Sequence, residues 1–391
     1  MTRRLYHDDA TLRRFDAVVL AHTTVTGKPA VVLDRTAFYP EAGGQLGDHG
    51  SLGDLAVLDT QEQDDGSIAH VIDGALPAIG ATLAGEIAWA RRRQHMAQHT
   101  AQHLLSGTLL ERARAATQSA RLGESALTID VARDRIPDAE LAAAEALAND
   151  IIDDDLAIRA WFPDAGELAA IKLRRDPKVT ADIRVVAIGD FDFSPCGGTH
   201  CARTSQLGAI RIMGTERYKG MTRVTFVAGA RGRAELFARD HVVRGLATQF
   251  SCAPADVPGA IDKLRAATTG ATAEVTALRA RIADLIVATF RGGTGPVIAA
   301  IPCDVEVLRS VAAKLANAGR DALVHAPEDG GGAVVLFRAA GSTLDCGALW
   351  KQVAARGGGR GGGKADRAEG RLTAPIADWS AFIADLLPIS A

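Results

Sequence analysis

From Phe15 to Leu20, Ala30 to Leu33, Ala56 to Asp59, Ala69 to Ile72 and Thr82 to Ile87, short apolar-rich runs are separated by Gly and Asp. Runs of that length between turn residues read as strands, so residues 1–90 are expected to form a small β-barrel or sandwich. At Arg91 the pattern changes. The stretch Arg91-Arg-Arg-Gln-His-Met-Ala-Gln-His-Thr-Ala-Gln-His-Leu-Leu-Ser-Gly107 is built of good helix formers and predicts a helix that stops at Gly107. A second helix is expected from Asp138 to about Asp153, with Leu141, Ala144, Ala148 and Ile151 on one stripe. Strand-like stretches at Ile183 to Ile188 and Arg223 to Ala228 flank a turn-rich segment, Asp192 to Thr204, so residues 91–235 read as one α+β domain.

Beyond Pro254 and Pro258, the residues Val257, Ile261, Leu264, Thr268, Ala271, Val275, Leu278, Ile282 and Leu285 are spaced alternately by four and three, a heptad pattern. They predict a long helix of roughly 40 Å at 1.5 Å per residue, within a helical linker over residues 236–290. Two readings stay open: a helix packed on its own domain, or an intermolecular coiled coil. The segments Pro296 to Ile301, Val305 to Ala318, Ala322 to His325 and Ala333 to Arg338 alternate strand, helix, strand, strand, which makes residues 291–391 a separate α/β domain. The chain as a whole is thus expected to be an α+β multidomain protein.

Composition narrows the class. At 391 residues, with 47% apolar and 23% charged residues, the chain has globular proportions. No apolar run approaches the roughly 20 residues needed to cross a bilayer, and the start has no apolar signal core, so a cytoplasmic protein is expected. Five scattered cysteines do not make a disulfide framework, which points to reactive or metal-bound thiols where any are special. A net charge of −3 speaks against a protein that coats nucleic acid, although a local basic face remains open.

The chemistry concentrates in two places. His99 and His103 are four apart on the expected helix, which sets both imidazoles on one face, able to chelate a single ion. Downstream, Ser194-Pro-Cys196-Gly-Gly-Thr-His200 offers a thiolate and another imidazole, with Gly197 and Gly198 expected to let the backbone turn tightly. His99, His103, Cys196 and His200 together form a nitrogen and sulfur set suited to one Zn2+ per chain. His95 and Cys201 are expected to stand outside it. No Glu follows His95 or His99 as in His-Glu-x-x-His, which argues against a zinc protease. Four protein ligands would close a tetrahedral zinc, so a structural and a catalytic metal both remain open.

His99-Thr-Ala-Gln-His103 and Cys196-Gly-Gly-Thr-His200 resemble the paired zinc motifs of the editing domain shared by alanyl-tRNA synthetases and free-standing alanyl-tRNA editing proteins. Thr36-Ala-Phe-Tyr-Pro-Glu41-Ala-Gly-Gly-Gln45-Leu-Gly-Asp48 and Lys219-Gly-Met-Thr-Arg223-Val-Thr-Phe-Val-Ala-Gly are similar to two further stretches of that family, in the same order. Gly357-Gly-Gly-Arg360-Gly-Gly-Gly-Lys364-Ala-Asp366-Arg-Ala-Glu-Gly370 is similar to the glycine-rich part of the DHH-associated domain, with Ala365 where Pro is usual and Arg371 where another Gly is common. With no ATP-binding signature in the chain, the resemblance implies a trans-editing enzyme of the long type. Its expected activity is hydrolysis of the ester joining serine or glycine to the tRNA for alanine.

The resemblance also suggests roles. Thr36 is expected to discriminate the wrong amino acid through its hydroxyl, and Gln45 to orient substrate or water, while neither Glu41 nor Asp48 stands out as a proton acceptor. Arg91, Arg92 and Arg93, then Arg217, Lys219 and Arg223, and finally Arg356, Arg360 and Lys364 are placed where a phosphate track would need cations. A homodimer is expected to form, if at all, through the heptad helix or the C-terminal domain. The alternative is a zinc-stabilised RNA-binding protein with no hydrolytic activity.

Overall fold

The computed structural model describes residues 2–124, 126–177 and 179–387. The chain divides into two compact units, Met1–Gly245 and Leu246–Ala391. The first opens with a closed six-stranded antiparallel barrel, in the order Arg14–Val25, Lys28–Leu33, Ile68–Asp73, Leu55–Glu62, Gly50–Leu52 and Thr82–Ile87. Alternation puts Ala17, Val19, Val31, Leu33, Val57 and Ile72 inside, around Phe38 and Leu52. The tight connection between the first two strands is Thr26-Gly27, both with positive φ, the geometry that matches strand twist in a two-residue hairpin. Every strand expected from the pattern is present, and the short Gly50–Leu52, too brief to show periodicity, completes the barrel.

The second expected element is longer than its sequence suggests. The helix runs Trp89–Ala113, through Gly107, and stops at Arg114 in the left-handed region. Gly107 is not a terminator. A Cβ there would come within 2.8 Å of Phe191 Cε1, so glycine serves close packing in mid-helix. From His95 to Leu109 every residue of this helix is buried, polar ones included. It packs on the helix Asp138–Asp153, whose buried stripe Leu141, Ala144, Ala148 and Ile151 is the expected one, joined by Ile152. The unit also holds two antiparallel sheets, Arg211–Tyr218, Met221–Val227, Leu127–Val131 and Thr117–Leu122 in one, Ile158–Trp161, Val185–Ile188 and Asp192–Pro195 in the other, and a short parallel pair, Arg3–Arg4 with Arg35–Thr36.

In the second unit the heptad segment forms a helix over Val257–Thr289. Its packing against the helix Val305–Asn317 uses Ala283, Ile286, Val287 and Phe290, whereas the heptad residues Leu264, Val275, Leu278, Ile282 and Leu285 are exposed. A five-stranded sheet follows, ordered Val297–Ala300, Ala322–Glu328, Gly331–Phe337, Arg367–Leu372 and Gly359–Gly363, with only the first pair parallel. One face packs on Val305–Asn317 and the other on Cys346–Gly357 and Trp379–Ala384. The glycine run is therefore an edge strand. A Cβ at Gly370 would overlap the Trp350 ring, and one at Gly361 would meet that ring at 2.9 Å, so glycine lets the hairpin lie flat on the tryptophan. Among the described residues, no helix is long and apolar enough to cross a membrane.

Candidate metal centre

The helix Trp89–Ala113 holds the His99 and His103 rings one turn apart, with centroids separated by 5.0 Å. The loop after the strand Asp192–Pro195 brings His200 to 4.4 Å from the His99 ring and 4.9 Å from that of His103. Cys196 Sγ lies 3.5 Å from His99 Nε2 and 3.4 Å from His200 Nε2. One ligand atom from each of His99, His103, Cys196 and His200 thus falls within 4.8 Å of all the others. The two glycines permit this differently from the sequence expectation. Neither Gly197 nor Gly198 has a left-handed φ, and Gly197 faces open space. Gly198 is required by proximity, since a Cβ there would overlap the His99 ring.

Hydrogen bonds on the far sides of the rings orient the near sides. His99 Nδ1 lies 2.8 Å from Gln45 Oε1 and donates to it, which leaves the Nε2 lone pair facing Cys196. The same Gln45 oxygen accepts from Thr199 N at 3.1 Å while Gln45 Nε2 donates to Thr199 Oγ1 at 2.8 Å, so the amide has one orientation. His200 Nδ1 is 3.2 Å from Thr100 Oγ1, which also accepts from Cys201 N. With Nδ1–H donating, the remaining nitrogen of His200 is likewise free toward the cluster. His103 Nδ1 is buried without a hydrogen-bond partner.

Burial sets the protonation. Loss of solvation pushes His99 down to about 3 and holds His103 and His200 well below the usual imidazole range, so all three are neutral. The same burial raises the Cys196 thiol, opposed by the guanidinium groups of Arg184, Arg175 and Arg174. Three neutral imidazoles and a thiol that burial alone would keep protonated are a donor set that one bound cation satisfies together, while His103 Nδ1 lies 4.0 Å from Asp192 Oδ2. The residues present can hold one metal ion.

A cavity of about 590 Å³ opens onto the cluster, lined by His99, His103 and Cys196, by Tyr6 and Tyr39, and by Arg184. Thr36 does not line it. Its side chain is fully buried, with Oγ1 2.8 Å from His70 Nε2 and accepting from Phe38 N at 3.0 Å. Gln45 is also fully buried, and touches the cluster through His99 and Thr199. Asp48 is engaged inside the protein, accepting from Tyr39 N at 2.7 Å and paired with Arg92.

Residues 183–225, which carry Cys196 and His200, match the family described as threonyl and alanyl tRNA synthetase second additional domain. The similarity to whole proteins is wider. The alanine–tRNA ligase of Thermococcus kodakarensis is 31% identical across 96% of this chain. That of Pyrococcus abyssi is 31% identical across 95%, and that of Halorubrum lacusprofundi 30% across 94%. The chain is a relative of the alanine–tRNA ligases. It spans 42% of the length of each of these three.

The basic residues of this alanine–tRNA ligase relative fall into three groups. Arg93, Lys219, Arg360 and Lys364 are exposed, the last two at either end of the edge strand Gly359–Gly363. Arg91, Arg217, Arg223 and Arg356 face acidic neighbours: Arg91 meets Glu124, Arg217 and Arg223 meet Asp134 and Asp130, and Arg356 meets Asp385. Arg92 is a core residue. Its fully buried guanidinium pairs with Asp48 and donates to Ala10 O and Ala37 O, so burial withdraws it from any phosphate backbone. Thr100 and Thr199 lie inside the two motifs without having been singled out, because a threonine carries no ligand signal of its own. Arg184 has no local pattern at all to mark it.

Proposed function

We propose that this chain hydrolyses the ester that joins serine or glycine to the tRNA for alanine, with one zinc ion held by His99, His103, Cys196 and His200. The carrying observation is that these four side chains, from two motifs a hundred residues apart in sequence, converge beneath a cavity rather than in a closed core. Likeness to alanine–tRNA ligases along nearly the whole chain supports the substrate class. In the reaction, water adds to the acyl carbon, the bond from that carbon to the ribose oxygen breaks, and the ribose oxygen takes a proton. A zinc ion in this donor set would supply Lewis acidity toward the ester or its attacking water.

The chain's own residues prepare that site. Gln45 and Thr100 fix the ring orientations, while Tyr39 and Tyr6 wall the cavity. Thr36 acts on discrimination through the segment it anchors: its hydroxyl holds Phe38 N, and Tyr39 follows at the cavity wall. Arg93, Lys219, Arg360 and Lys364, exposed, together with Arg91, Arg217 and Arg223, whose carboxylate pairs would have to exchange, make up the tRNA-facing cations. The working compartment is the cytoplasm, where charged tRNA is found.

The deciding experiment is deacylation of seryl-, glycyl- and alanyl-tRNA for alanine by metal-loaded protein, with metal content measured alongside. Release of serine or glycine but not alanine, lost on chelation or in Cys196→Ala, is the expected result. A tetrahedral set of four protein ligands is also what a structural zinc requires. RNA binding with no deacylation, and unfolding on chelation, would assign the chain to that role instead.

A further inference from the structure

Arg184 is 6% exposed, yet no carboxylate pairs with it among the described residues. Its Nη1 donates to Cys196 O at 3.1 Å and to Gly198 O at 2.8 Å, while its Nε is buried without a partner. Three other buried or half-buried arginines of this unit differ. Arg92 is neutralised by Asp48, Arg174 by Asp192 and Arg223 by Asp130. A guanidinium with an idle N–H, taken out of water without a counter-charge, is costly unless something anionic completes it.

The setting says where that anion comes from. Arg184 lines the cavity above the four-residue cluster, and the two carbonyls it grips belong to the loop that carries Cys196 and His200. Nearby, Arg175 is exposed on the cavity wall with a single long bond, 3.4 Å, to Pro195 O. The acidic residues of the lining are not set against Arg184: Glu62 is paired with Arg4, and Asp176 and Asp182 are exposed. Guanidinium groups suit phosphate because their planar N–H forks match its oxygens.

We propose that Arg184 is a phosphate-binding residue of the cavity, holding the phosphodiester nearest the ester at the 3′ end of the substrate. The proposal rests on the tRNA-ester reading above. Its chemistry is nonetheless separate, because an anion site can be measured with no hydrolysis. The guanidinium does two things at once: Nη1 braces the metal-binding loop, and the side of the group that lines the cavity receives the nucleotide. Ester and phosphate are thereby held against the same five-residue loop.

The test compares binding of adenosine 5′-monophosphate with that of adenosine to the metal-loaded full chain, by calorimetry. Wild type is expected to prefer the monophosphate by at least about tenfold, the smallest gain a charged hydrogen bond brings. Arg184→Gln is expected to bind both equally while keeping its metal, and to raise KM for aminoacylated tRNA more than it lowers kcat. Should Arg184→Gln lose its metal, Arg184→Lys, which keeps the charge, is expected to retain metal and part of the preference. Equal binding of the two probes by wild type, or an undiminished preference in metal-loaded Arg184→Gln, overturns the proposal. So does an Arg184→Gln variant with unchanged KM and a lowered kcat, which would make the group a stabiliser of the reacting oxygen. A clear preference for the monophosphate in a protein that deacylates nothing would leave Arg184 in place and remove the editing reading.

Discussion

Gln45 Oε1 sits 2.8 Å from His99 Nδ1 and 3.1 Å from Thr199 N, joining the barrel end of the chain to both halves of the candidate metal centre. Partners of this kind, one bond out from a ligating imidazole, typically shift metal affinity by about 10- to 100-fold. Gln45→Leu is therefore expected to weaken zinc binding by a factor in that range, read by chelator competition, with secondary structure unchanged. Gln45→Glu keeps an acceptor and should lose less.

Gly197 and Gly198 are neighbours with opposite tolerances. Gly198→Ala drives a methyl into His99 and should abolish stoichiometric zinc, while Gly197→Ala faces open space and should retain it. Metal content by atomic absorption on the two purified variants decides the matter. Equal retention would mean the loop gives way without cost.

The Arg92 and Asp48 ion pair is wholly buried. Removing one partner leaves the other charge without its counter-charge in the interior, at a cost of about 3–5 kcal/mol. Arg92→Met should lower the urea midpoint accordingly, and Asp48→Asn added to it should restore a good part of the loss. Without that recovery, packing rather than charge is what Arg92 contributes.

His70 titrates inside the barrel. Burial lowers it to about 4 against an unperturbed 6.5, and the hydrogen bond to Val31 O opposes the shift. Because the folded value is the depressed one, the unfolded chain takes up the proton first as pH falls. The contribution of His70 is whole above pH 6.5 and shrinks on the way down to about 4, by roughly 3 kcal/mol in all. Chemical denaturation at pH 7 and pH 4.5 should show a smaller acid loss for His70→Gln than for wild type.

The exposed heptad residues Leu278 and Leu285 would form the seam if two copies of the chain pair through the helix Val257–Thr289. Under that proposal, sedimentation should show a dimer that Leu278→Glu with Leu285→Glu converts to monomer. A wild-type monomer at micromolar concentration would rule this seam out.

Much of this could be read from residue order, for identifiable reasons. The barrel strands announce themselves by alternation, as at Ala17 and Val19 or Val31 and Leu33, and the helix Asp138–Asp153 by its stripe. The ligand spacing in His99-Thr-Ala-Gln-His103 is local, so the helix alone sets it. Other features depend on contacts between distant segments. Gly107 looked like a stop because nothing nearby in sequence reveals Phe191 across the interface. Arg92 looked like surface charge because Asp48, its partner, lies 44 positions away. Thr36 fits the pattern of a strand residue, but only the fold shows its hydroxyl turned to His70 rather than into the cavity.

The helix Trp89–Ala113 is buried along most of its length although its residues include histidine, glutamine and threonine. Its apolar residues Ala97, Ala101, Leu104, Leu105 and Leu109 pack into the core, but the buried polar ones between them need partners that a foreign scaffold would not supply. Those polar groups are satisfied by distant parts of the chain: His99 by Gln45, Thr100 by the Cys196–His200 loop, Arg92 by Asp48, and Ser106 by Thr117. Transplanting the His-x-x-x-His pair into another protein would therefore carry over the donors without their alignment. The partners of this one helix are spread over the unit Met1–Gly245, so the site moves with that unit and not with the helix.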